Sequence, residues 1–184
     1  RGPIVTSHGH NDILALEVHA AGIRFLGEMG CAPYGTSPGR DYDQLTEAHN
    51  TLGITGMEQC PIISEWRWSK VVAPAVRRWQ SLPELDFCHA SHEGFYHYGQ
   101  HQILHSRKLL FLKSEPACWL VFDWLECDRE YPVNVWWHGC VPGQVAGDSI
   151  VLQAAAGPRL QIQAPAGEGA AEPFSSPGLS AYIA

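Results

Sequence analysis

The sequence predicts an all-β protein, a large antiparallel β-sandwich of packed multi-stranded sheets, and three observations carry that expectation. From Thr51 onward short apolar or aromatic runs recur at 51–54, 62–68, 71–79, 85–90, 102–113, 118–125, 132–139, 149–154 and 159–164. Turn residues separate these runs at spacings typical of antiparallel sheets. No stretch carries a convincing amphipathic helix of ordinary length.

The elements follow in order. Residues 13–20 alternate, with Leu14, Leu16, Val18 and Ala20 on one side and Ala15, Glu17 and His19 on the other, which predicts a half-buried strand. Ala21-Gly22 reads as a turn and 23–28 as a short strand. Residues 30–40 are rich in Gly, Pro and Ser and predict a loop. Residues 41–50 read as a helical turn or an irregular loop. The clearest strand is 102–113, where Ile103, His105, Arg107, Leu109 and Phe111 share a face. The last twenty residues, rich in Ala, Gly, Pro and Ser, carry only weak strand signals.

Composition narrows the class. The chain has 184 residues, the size of one domain (1–184) with enough material for a real core. With 45% hydrophobic and 17% charged residues it is globular in composition. A net charge of -7 and the absence of any Lys/Arg block argue against nucleic acid or an anionic membrane surface as main partner. No apolar run approaches a membrane span. The chain starts Arg1-Gly2-Pro3, without Met or signal peptide, and so reads as mature protein or a fragment. The six cysteines form no Cys-x-x-Cys pair, which permits disulfides and excludes a Cys-type zinc finger; buried free thiols are the favoured reading.

The chemistry concentrates in Ser7-His8-Gly9-His10-Asn11-Asp12 and in Glu47-Ala48-His49-Asn50-Thr51. On an extended segment His8 and His10 project to the same side, and Gly9 allows a partner to come close. A carboxylate and a further histidine downstream, with Glu28 and His49 as the candidates, would complete a three-ligand site for an ion such as zinc. The plainer alternatives are a polar turn at His8–His10, a loop histidine at 49 and a solvated strand end at Glu28.

Taken in series, these residues resemble the heparinase II/III-like family of polysaccharide lyases. The resemblance runs through His8-Gly-His-Asn-Asp12, Glu28-Met29-Gly30, Tyr34-Gly35, Arg40-Asp41-Tyr42 and Ala48-His49-Asn50-Thr51. It continues in His92-Glu93-Gly94-Phe95, His105-Ser106-Arg107 and a following strand ending in Asp123. It implies β-elimination on a uronic-acid polysaccharide such as a heparin-like chain or alginate. It also implies a periplasmic or secreted location, and a helical toroid domain as the partner that completes the active site. The toroid's Tyr and Asn, which take part in proton transfer, and the first strands of the sheet domain have no counterpart here, so the isolated chain is expected to show little activity.

By the same resemblance His8 is the catalytic histidine and Tyr42 a phenol facing substrate. His10, Glu28 and His49 are the ligands of a structural zinc, although Glu28 stands where the family has Asp. Asn50 and Arg107 are substrate-binding candidates, with a buried hydrogen-bonding residue the favoured reading of Arg107 and anion binding the alternative. The histidines at 89, 92, 97, 101 and 105 suggest a second metal site, against the plainer reading of a satisfied sheet face. Trp66, Trp68, Trp136 and Trp137 could stack on sugars, with core packing favoured. Two other classes compete: a metal-dependent hydrolase built on His8, His10 and Asp12, and a non-catalytic carbohydrate-binding β-sandwich.

Overall fold

The computed structural model describes residues 9–28, 30, 40–64, 67–69, 72–97, 103–155, 157–163, 172–176 and 179–183. Antiparallel strands dominate them. Helix among the described residues amounts to one turn, α1 (Arg40–Asp43), and two 3-10 turns at Thr46–Ala48 and Gly94–His97. The strands are β1 (Val18–Ala20), β2 (Ile23–Leu26), β3 (Leu52–Ile54), β4 (Ile62–Ser64), β5 (Arg67–Trp68), β6 (Ala75–Ser81), β7 (Leu85–His92) and β8 (Leu104–Leu112). They continue as β9 (Cys118–Glu126), β10 (Val133–Gly139), β11 (Gly143–Ala146), β12 (Ser149–Gln153), β13 (Arg159–Gln163), β14 (Glu172–Ser176) and β15 (Leu179–Ile183).

Among the described residues these strands form four antiparallel sheets, and the chain falls into two compact units. A framing unit comprises residues 10–55 and 132–184. Its larger sheet runs β1-β2-β10-β15-β14 with β3 also paired to β10, and β11-β12-β13 form a second sheet. Strand β10 is the organiser: Val133 to Val135 pair with β3, while Trp136 to Gly139 pair with β15. The buried apolar residues of this unit include Phe25, Leu26, Leu52, Ile54, Trp136, Trp137, Ile150 and Leu152. Gly53 is required by packing, because a Cβ there would run into the Trp136 ring.

The inserted unit comprises residues 56–131 together with 1–9. It holds the β4–β5 hairpin and the four-stranded meander β6-β7-β8-β9, whose long registers give it its regularity. Phe95 and Ile103 are its most deeply buried apolar side chains among the described residues.

Several sequence expectations shift. The alternation over 13–20 forms a strand only from Val18. Leu14 takes a left-handed φ of 61°, the Ala15 N–H turns back to the Asp12 carbonyl at 3.0 Å, and the pattern there belongs to a turn. The predicted turn at Ala21-Gly22 is present, with φ of 49° and 76°, a primed geometry that matches strand twist. Strands β14 and β15 come from the weakly patterned tail, and β11 had no signal of its own. Trp68, Trp136 and Trp137 are buried packing residues. Trp66 and the expected loop over 31–39 lie outside the described residues.

Candidate functional site

The segment around His49 is held by backbone contacts that Asn50 organises. Its Nδ2 donates to the carbonyls of Leu16 at 2.9 Å and Gly27 at 3.1 Å, and its Oδ1 accepts the His138 backbone N–H. Asn50 thus fastens three chain segments while fully buried. Both ends of its amide are spent on backbone, which is a structural role for the residue expected to bind substrate. The hydroxyl of Thr51 donates to the Ile13 carbonyl, and the Asn11 N–H to that of Gln44, so the residues around His10 lie along the same segment.

On this framework His49, 1% exposed, ends the Thr46–Ala48 turn in extended conformation and places Nδ1 directly against Oε2 of Glu28. Glu28 comes two residues after β2. The His10 ring lies 5.3 Å from that of His49, centroid to centroid. Burial, and then the neighbouring His49, lower the proton affinity of His10 below that of an ordinary histidine. The three residues expected to act together are therefore adjacent. Sequence reasoning missed a fourth, His138 on β10, which is 0% exposed. Its Nε2 donates to the Glu47 carbonyl at 2.9 Å, which leaves Nδ1 as a bare acceptor. That atom, Glu28 Oε1 and His49 Nε2 are all buried without a hydrogen-bond partner among the described residues. The only hint in the sequence was a histidine at the end of an apolar strand.

Two imidazoles and a carboxylate with unspent lone pairs are the donor chemistry that zinc takes, so the residues fit a metal in kind. Among the described residues, however, no three such groups already converge on one point. Tyr42, on α1, is half-buried, and its hydroxyl reaches the Glu47 carbonyl at 3.4 Å, too long for a firm bond. The same carbonyl thus faces both Tyr42 and His138. His8 lies outside the described residues. Asp12 is exposed, which gives the hydrolase reading no support from this geometry.

A second polar cluster lies in the inserted unit. Asp123 takes a two-pronged bond from Arg107, Nε to Oδ1 at 2.7 Å and Nη2 to Oδ2 at 2.8 Å. It also bonds His105 Nε2 at 2.8 Å, and His105 Nδ1 lies 2.9 Å from His92 Nε2. The Gly94 N–H donates to His92 Nδ1 at 3.0 Å. Protons can be assigned along this chain. His92 Nδ1 accepts, so its Nε2 carries the hydrogen and donates to His105 Nδ1, and His105 Nε2–H donates to Asp123. His92 is thereby neutral, and the hydrogen bonds lock both rings in one orientation. Burial pushes the His92 pKa well below its usual value. Burial alone would raise Asp123, but the hydrogen bonds from His105 and Arg107 outweigh it and hold the carboxyl below its usual range. Gly94 is needed because a Cβ would come 2.8 Å from His92 Nδ1 and 2.7 Å from the Gln59 carbonyl.

This arrangement gives Arg107 the part of a buried hydrogen-bonding residue, 3% exposed and paired with Asp123. It also favours the satisfied sheet face over a second metal site at His92 and His105, whose ring nitrogens are all engaged. The side chain of His97, and His101 altogether, lie outside the described residues.

An antiparallel sheet fold thus carries a buried His49–Glu28 pair with the His10 ring beside it, and comparison with known proteins supplies the family. The family model described as "Heparinase II/III-like, C-terminal" matches residues 1–177, and the chain belongs to that family. Two crystal structures of heparan sulfate lyase HepC from Pedobacter heparinus, one of a mutant, share its fold. Their TM-scores are 0.72 and, for the mutant, 0.74, each at 16% identity over 96% of this chain. The chain spans 28% of the length of either. No curated protein sequence matches it.

Proposed function

We propose that the chain is the C-terminal sheet portion of a polysaccharide lyase that cleaves a uronic-acid-containing polysaccharide by β-elimination. Membership of the heparinase II/III-like family supports this reading. The observation that carries the site is the Glu28–His49 contact with the His10 ring beside it, two residues after His8. Elimination requires neutralising the substrate carboxylate, removing the proton on the adjacent carbon and protonating the departing glycosidic oxygen. His8 suits the first or second task, because imidazole titrates near neutrality and can hold either charge or proton. Tyr42 is the phenol that would face substrate.

His10, Glu28 and His49 would hold a divalent ion such as zinc, with His138 Nδ1 nearby as a further buried donor. When bound, the ion supplies cross-linking rather than chemistry, tying the loop at Ala48-His49 to the segment that carries His8. The substrate and the helical toroid domain of the same protein are the proposed partners, and a periplasmic or secreted location follows from the substrate.

Two measurements test the proposal. Elemental analysis of the purified chain should find about one divalent ion per chain, lost in a His10→Ala, His49→Ala double variant; equal metal in both removes the ligand set. In the complete enzyme, His8→Ala should lower the formation of unsaturated uronate product by about 10²–10⁴-fold, the usual share of a general acid–base group. Unchanged turnover would remove His8 from the catalytic role, and a complete protein that forms no unsaturated uronate would be a carbohydrate-binding module instead.

A further inference from the structure

A pocket of about 310 Å3 opens in the inserted unit, at the start of β6 and the end of β7, lined by Val72, Arg77, Ser91, His92, Glu93 and Leu104 among others. Its volume is at the lower end for small-molecule sites, about the size of one sugar ring. We propose that it binds an acidic sugar unit, with Arg77 pairing the carboxylate or sulfate and Glu93 accepting from ring hydroxyls. The naming of a sugar rests on the lyase reading; the charge pattern does not.

Four observations lead there. The β6–β7 register slips between Val76 and Arg78, so Arg77 has no cross-strand partner and leaves the ladder at a bulge, a device that re-aims a side chain. Its Nε is anchored on Ser91 Oγ at 2.8 Å, and Ser91 is 2% exposed. The guanidinium is thereby oriented, with its two terminal nitrogens left for a bidentate anion. Arg77 and Glu93 line the same pocket yet form no ion pair with one another or with any other described residue. This contrasts with Arg107 and Arg24, whose carboxylate partners are Asp123 and Glu17. Finally, both nitrogens of His92 are spent, so that ring is a fixed wall and contributes no acid, base or metal ligand.

The pair of opposite charges selects the ligand. A bare multivalent anion would meet repulsion from Glu93, and a neutral sugar would leave Arg77 unpaired. A pyranose bearing one oxyanion and several hydroxyls satisfies both.

The test is a titration of the full chain with glucuronate, glucosamine 6-sulfate, glucose and alanine, followed by NMR shifts of the pocket residues. Glucuronate or the sulfated sugar should bind, and Arg77→Gln should weaken binding tenfold or more, the loss expected for one charge-assisted contact. Arg77→Lys should retain part of it. Equal binding of glucose, preferential binding of alanine, or unaltered affinity in Arg77→Gln would each overturn the proposal. The lyase reading fails separately. If the complete enzyme eliminates uronate chains while no acidic sugar reaches the pocket, the pocket proposal alone falls. If glucuronate binds through Arg77 but the enzyme eliminates nothing, the lyase reading alone falls.

Discussion

At the scale of single residues, the two polar clusters differ in how completely they are satisfied. In Asp123–His105–His92 each ring nitrogen and both carboxylate oxygens are engaged, and Arg107 closes the far end. Such a network tolerates no partial removal. Arg107→Ala would leave the Asp123 charge buried beside a cavity, and a loss of about 3–5 kcal/mol is expected, measured by urea unfolding. The paired replacement Arg107→Met, Asp123→Leu should cost clearly less, because it leaves no orphaned charge; equal costs would show that packing rather than charge dominates. The Glu28–His49 pair is the opposite case, since lone pairs remain unspent on both partners and on His138. Unspent buried donors and acceptors are expensive to a fold, which is the physical reason for assigning them a ligand.

Among the elements, β3 and β10 show how tightly local choice is tied to distant packing. Gly53 allows the Trp136 ring to lie against β3. Gly53→Ala should therefore destabilise the framing unit by about 1–3 kcal/mol through overpacking, read as a lower midpoint in thermal unfolding; a neutral substitution would mean that Trp136 can move aside. The same dependence explains what the sequence could reveal. Strands β7, β8 and β9 were legible because alternation and length are properties of each run. So was the grouping of His10, Glu28 and His49, carried by motif. Strands β14 and β15 were not, since β15 forms on β10 and β14 on β15, and nothing inside 172–183 announces either pairing. His138 was equally hidden, because its partners Asn50 and Glu47 lie 88 and 91 residues away in the chain. The half-strand at 13–17 misled because alternation records which side chains are buried, and a turn with Leu14 in left-handed conformation can bury the same ones.

For the whole molecule, the buried histidines set the response to acid. His92 and His138 both take up protons less readily when folded, chiefly because burial penalises the charged ring. The unfolded chain binds those protons at a pKa of about 6.5. Stability is thus fully present above that value and declines as pH falls below it, since the unfolded state then holds more protons. Asp123, held below the usual carboxylate range, adds a loss of the same sign at lower pH. Thermal midpoints should fall between pH 7.5 and pH 5.5, and a rise on acidification would contradict the assignment of neutral rings. Chain topology adds a consequence of another kind. The ladder between β3 and β10 closes with the Thr55 N–H on the Pro132 carbonyl at 3.0 Å, so the excursion through residues 56–131 leaves and returns within one hydrogen bond. Lengthening a loop is cheap, about 0.6 kcal/mol for each doubling, which makes this junction a natural socket. Ancestral or engineered variants would exchange residues 56–131 while the β3–β10 pairing keeps its register.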